Sequence, residues 1–160
     1  MIDYRKLSVL LSKGDMYVDD LRELICELVT DENWLAIYGI SELVSREVSI
    51  LIDAKDDVWI DWGSIGQVTL SPPVGSILPY KLWVHTHPRN NAYWSQTDRM
   101  SLSLAKGILD KALVLGKNGV LSTSLINSDT ILPDSNDVEK EWSEESVKSW
   151  LEISLNLKSN

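Results

Sequence analysis

No phenylalanine occurs in this 160-residue chain, histidine occurs twice and cysteine once. The lone Cys26 excludes an intramolecular disulfide, and also a cysteine-rich zinc finger, which needs several thiolates. It falls on the apolar face of a predicted helix and reads as a small buried hydrophobe. No apolar run approaches the ~20 residues that span a bilayer. The opening MIDYRKLSVLLSKGD has only a short apolar centre and carries Asp3, so no signal peptide is expected and the predicted location is the cytoplasm. Basic residues are the scarcer charge, and the net charge is −9. That sign argues against nucleic acid and anionic membrane surfaces as partners, because phosphates reward Lys and Arg.

Seven tryptophans stand in for the missing phenylalanine. Tryptophan is large and often only partly buried, so some of these side chains are candidates to line a cleft. The length fits one domain with a proper core. Residues 1–14 read as an N-terminal extension, 15–135 as the domain, and 136–160 as a C-terminal helix packed on the same domain. Val18, Leu21, Leu24, Ile25 and Leu28 recur at helical spacing, with Asp19 and Asp20 at the favourable end of the dipole. Asn33–Ile40, Glu47–Ile52, Val58–Trp62 and Gln67–Leu70 read as strands, and Ser71–Gly75 as a loop. Tyr80–Val84 is a strand running into His85. Ser95–Leu109 has the period of a helix. Lys111–Gly116 and Val120–Ile126 form a hairpin about Lys117-Asn118-Gly119, and Val138–Leu155 reads as a terminal helix. The order predicts an α/β (α+β) domain with a central mixed sheet flanked by helices.

Both histidines lie in HTHPRNNAYWSQTD, residues 85–98. On a strand, positions i and i+2 face the same way, so His85 and His87 present two imidazoles side by side. That is a common way to give zinc two nitrogens. Pro88 ends the strand. Ser95 with Asp98 reads as a helix cap of the capping-box kind. Residues three apart on a helix share a face, so Ser95 and Asp98 can also point together at the histidines. Two His and one Asp with an open fourth position is the pattern of a catalytic zinc site, and a Glu from another element would be needed as general base.

These residues resemble the signature of the JAMM, or MPN-plus, metalloproteases: a distant Glu, then His-Ser/Thr-His, then Ser and Asp at the spacing seen here. The resemblance covers most of residues 16–130 and is nearest to the small prokaryotic members. It implies a cytidine-deaminase-like MPN fold and one Zn2+ per chain held by His85, His87 and Asp98. It further implies a Glu that handles the proton of zinc-bound water, and Ser95 beside the developing oxyanion. Glu32 is the preferred Glu, because it follows the first helix and precedes Gly39. Glu47, heading EVSILI, is the rival, although it leaves a short stretch before His85 for the intervening strands. Glu42 reads more simply as a solvated surface acid. Thr86, Tyr93 and Trp94 are candidate substrate contacts, with loop packing as the other reading for the two aromatics. Trp94 stands where the family often has Pro. By resemblance the substrate is the C-terminal tail of ubiquitin or of a ubiquitin-like or sulfur-carrier protein. A non-catalytic MPN-like scaffold and a zinc amidohydrolase of another peptide are the alternatives.

Overall fold

A computed structural model of the chain describes Arg5, Val9 and residues 19–63, 72–131 and 138–158. Helices α1 (Asp19–Thr30) and α2 (Trp34–Val44) precede the strands. Strands β1 (Val48–Ile52), β2 (Val58–Trp62) and β3 (Leu82–Thr86) follow, then helix α3 (Gln96–Leu104). Strands β4 (Lys111–Gly116), β5 (Gly119–Ile131) and β6 (Val138–Trp142) lead to helix α4 (Trp150–Lys158). The strands form one six-stranded sheet in the order β2-β1-β3-β4-β5-β6. Among the described strands only β3 and β4, joined through α3, run parallel; the other pairs are antiparallel. The domain is therefore mixed α/β, with a mixed sheet and four described helices.

Alternation along the strands divides the core into two layers. Val48, Ile50, Val84, Leu113 and Leu115 face α1 and α2, where Leu21, Ile25, Leu28 and Ile37 cover them. Leu51, Trp83 and Ala112 face α3 and meet Leu102 and Ala105. Each large apolar side chain removed from water contributes about 1.5–3 kcal/mol. Trp83 is fully buried, and its indole Nε1–H donates to Ser49 Oγ at 2.9 Å, so no donor is left without a partner. α4 returns to the first layer: Trp150 and Ile153 pack there, and Trp150 Nε1–H donates to the Gly116 carbonyl at 2.9 Å.

Two expected elements change type. Asn33–Ile40, expected as a strand, belongs to a helix that starts at Trp34. Its continuous apolar run is ambiguous in period. Asn33 resolves it by capping: its side chain accepts from the Ala36 N–H, and Ile37, Tyr38, Ile40 and Ser41 form the buried side. Val138–Trp142, expected inside a terminal helix, is β6. Val138, Lys140 and Trp142 alternate with Glu139 and Glu141, which suits a strand pairing with β5, and the helix begins only at Trp150. Cys26 is half-buried rather than buried. The predicted strand Gln67–Leu70 lies outside the described residues, as do residues 1–14 apart from Arg5 and Val9.

The β1–β2 turn is organised by one carboxylate. Asp53 accepts from Trp59 Nε1–H and from the backbone N–H groups of Ile77, Lys55 and Asp57. Burial alone would raise its pKa, but these donors outweigh it and hold the carboxyl below its ordinary value. A folded-state pKa below the unfolded one stabilises the fold above about pH 4, and the contribution is lost as pH falls through the folded value. Asp53→Asn should therefore lower the melting temperature at neutral pH, with the gap to wild type narrowing below about pH 4. Thermal melts across pH read this directly, and a gap independent of pH would contradict it.

Candidate metal centre

The centre sits where β3 ends. Ser49 of β1 lies opposite His85, and Val114 of β4 lies beside it on the parallel side. Strand pairing continues past the end of β3, for the His87 N–H donates to the Leu115 carbonyl at 2.8 Å. His85 and His87 thus emerge on the α3 face, with ring centroids 5.1 Å apart. Thr86 points to the other layer. Ser41 Oγ donates to the Arg46 carbonyl, so Thr86 Oγ1–H donates to Ser41 Oγ while its oxygen accepts from the Val48 N–H. Thr86 is fully buried and engaged there, which corrects its expected role as a substrate contact.

Asp98 reaches the histidines from the first turn of α3. Its Oδ1 lies 3.0 Å from His85 Nε2 and its Oδ2 lies 3.3 Å from His87 Nε2. The capping box and the candidate ligand are one device. Ser95 Oγ accepts from the Asp98 N–H, and Asp98 Oδ2 accepts from the Ser95 N–H, both at 3.0 Å. The cap fixes the carboxylate in the direction of the imidazoles.

The electrostatics are those of a buried cluster. Only 3% of Asp98 is exposed. Burial alone would push its carboxyl up in pKa, but His85 and His87, with the Ser95 N–H, hold it well below the usual range. Burial lowers the His85 pKa, opposed by Asp98, so that ring favours the neutral form a metal ligand needs. Among the described residues His85 Nδ1 and His87 Nδ1 are buried without a hydrogen-bond partner, and His85 Nε2 faces only the Asp98 carboxylate, without good hydrogen-bond geometry. An orphaned buried nitrogen costs about 1–3 kcal/mol, so the two Nδ1 atoms in one cluster need explaining. The His85, His87 and Asp98 donor atoms all lie within 4.8 Å of one another, and this group can hold a metal ion. Ring orientation comes from stacking. Trp83 lies on His85 with centroids 4.4 Å apart and 18° between planes, and Tyr93 meets His87 edge-on at 4.8 Å.

Tyr93 is 51% exposed and Trp94 half-buried, so the aromatics form the rim of the site. From them a groove of about 990 Å³ runs between α3 and the Trp142–Val147 segment, past Arg99, Leu102 and Lys106.

The three candidate acids separate. Glu32 lies in the turn between α1 and α2, exposed and with positive φ. Ser41 at the other end of α2 touches Thr86, and at 1.5 Å per residue Glu32 lies about 13 Å back along that helix. The strand that Glu32 was expected to open is a helix, so the structure does not bring it to the histidines. Glu47 directly precedes β1 and is buried. Continuing the β1–β3 register by two residues places it opposite His87, on the face that carries Ser49 and Trp83. The short stretch before His85 suffices because β1 and β2 are only five residues each. Glu42 is not an idle surface acid. It accepts from the Tyr38 hydroxyl and from the Arg89 N–H, and Tyr38 in particular lowers its pKa. No local signal in the sequence marks this role, because the pairing joins a helix end to a loop far along the chain.

No family model, curated protein or solved structure matches the chain. Among the described residues no helix is long and apolar enough to cross a membrane.

Two substitutions test the arrangement. Thr86→Val keeps the shape but strands the Val48 N–H. It should cost about 1–3 kcal/mol, read by denaturant unfolding; no loss would refute the buried bond network. Asp98→Asn keeps an oxygen for the cap and removes the charge. Elemental analysis should find about one metal ion per wild-type chain and little in the variant. Equal metal in both would mean that Asp98 only caps the helix.

Proposed function

We propose that the chain is a metal-dependent hydrolase of the JAMM type, with zinc as the ion. The observation that supports this reading best is the convergence of two Nε2 atoms and a capped carboxylate, with orphaned nitrogens, at one buried strand end. Two imidazoles and one carboxylate form a donor set that suits zinc, and three protein ligands are the number used by catalytic rather than closed structural sites. The six-stranded mixed sheet is compatible with the cytidine-deaminase-like fold of that family.

A zinc ion in such a site supplies Lewis acidity, making water more acidic and a carbonyl more electrophilic. The chain's own residues do the rest. Glu47, from the strand beside His87, is the better candidate for general base than Glu32: it takes the proton from the attacking water and passes it to the leaving amine. Ser95 Oγ accepts from the Asp98 N–H, which leaves its hydroxyl hydrogen to donate to the carbonyl oxygen as negative charge builds. Tyr93 and Trp94 at the rim contact the substrate and limit water access. The bond class is an amide or isopeptide. The substrate, the tail of ubiquitin or a ubiquitin-like protein, follows from the resemblance of HTHPRNNAYWSQTD to the family motif, and the setting is the cytoplasm.

The test is hydrolysis of a ubiquitin-like protein carrying a fluorogenic amide after its C-terminal glycines. Glu47→Gln should reduce kcat by about 10²–10⁴-fold while retaining the metal. Glu32→Gln should leave kcat unchanged. Loss in Glu32→Gln with Glu47→Gln unaffected would reverse the assignment, and a metal-loaded wild type inactive on the panel would remove the isopeptidase reading.

A further inference from the structure

The hydrogen bonds around His87 are lopsided. Its neighbour on the chain side, Thr86, is held by Ser41 and Val48, while on the loop side Arg89 is held by α2. The Glu42 carboxylate accepts the Arg89 N–H at 2.5 Å, and Arg89 Nη2 donates to Ser45 Oγ at 2.7 Å. Arg89 has φ +66° and Ser45 has φ +53°, a conformation that non-glycine residues enter only when their surroundings impose it. Behind the carboxylate stands Tyr38, whose hydroxyl donates to the same Glu42 oxygen. Tyr38 is in turn stacked on Trp150, with centroids 5.9 Å apart. The last turn of α2 therefore grips the chain at positions 86 and 89, one residue before and two after His87.

We propose that Glu42 is a positioning residue for the metal centre: by accepting the Arg89 N–H it fixes the backbone after His87 and so the direction of its Nε2. This rests on the reading of His85, His87 and Asp98 as metal ligands. The physical need for it is visible in His87 itself. A ligating imidazole is usually aimed by a hydrogen bond from its other ring nitrogen, and His87 Nδ1 has none among the described residues. Beyond the contact of its Nε2 with Asp98, its ring direction comes from the backbone and from the edge of Tyr93. Glu42 does not touch the metal or the substrate in this role.

The experiment uses the whole chain and two probes, zinc by competition with a chromophoric chelator and cobalt(II) by its visible spectrum. Glu42→Ala should bind zinc about tenfold more weakly and change the intensity of the cobalt bands, which report ligand geometry. Glu42→Gln keeps an oxygen acceptor for the Arg89 N–H and should restore most of the affinity and the wild-type spectrum. A folded Glu42→Ala with wild-type zinc affinity and cobalt spectrum would overturn the proposal. If that variant does not fold, Tyr38→Phe removes only the hydroxyl behind the carboxylate. It should show a smaller shift, about two- to threefold, in the same direction, and no shift there overturns the proposal equally. Wild type that binds neither ion would sink the metal reading itself, and this inference with it. Tight wild-type binding with unaltered variants sinks only the role of Glu42.

Discussion

Three polar side chains, His85, His87 and Asp98, are buried at the end of a central strand, where burial is costly, and much of the neighbouring structure offsets that cost. Asp98 keeps its charge only because the two imidazoles and the Ser95 N–H face it. The imidazoles keep their directions through Trp83 and Tyr93 and through the backbone bonds on either side of His87. Without a partner shared between the rings and the carboxylate, the orphaned nitrogens would be a net loss to the fold. A bound cation is the simplest group that turns the same arrangement into a gain.

The two faces of the sheet divide the labour. On one face α1, α2 and α4 make the larger apolar layer, which holds β1, β3 and β4 in place. On the other, α3 closes a smaller layer around Trp83 and Tyr80 and delivers Asp98 from its capped first turn. Thr86, set between the two histidines, points into the first layer and links it to the second through one residue of backbone. The site therefore draws its precision from the sheet, from the capped first turn of α3 and from the backbone just after His87. The loop is itself pinned, since Gly116 leaves room for the Ala92 backbone, which a Cβ there would meet at 2.1 Å.

The residues of the site were largely legible in the sequence because they are local. His-x-His on a strand faces one way by alternation alone, and Ser95 with Asp98 share a helix face by spacing alone. Where periodicity is weak, local pattern does not fix the element type. The apolar run Trp34–Ile40 has a pattern that suits a strand as well as a helix, and the Asn33 cap makes it a helix, which leaves Glu32 in the turn before it. The charged Val138–Trp142 hid its alternation inside a longer segment that looked helical.

The sequence by itself determined the candidate donor set, the exclusion of an intramolecular disulfide and of a cysteine-rich zinc finger, and the helix cap that aims Asp98. These depend on residue identity and on contacts a few positions apart. Only the tertiary structure decided that Glu47 rather than Glu32 lies opposite His87, that Thr86 faces away from the site, and that Glu42 holds the backbone of Arg89. Those depend on which strands pair and in what register. Such pairing is set by burying two apolar faces at once, and no local pattern in the chain records it.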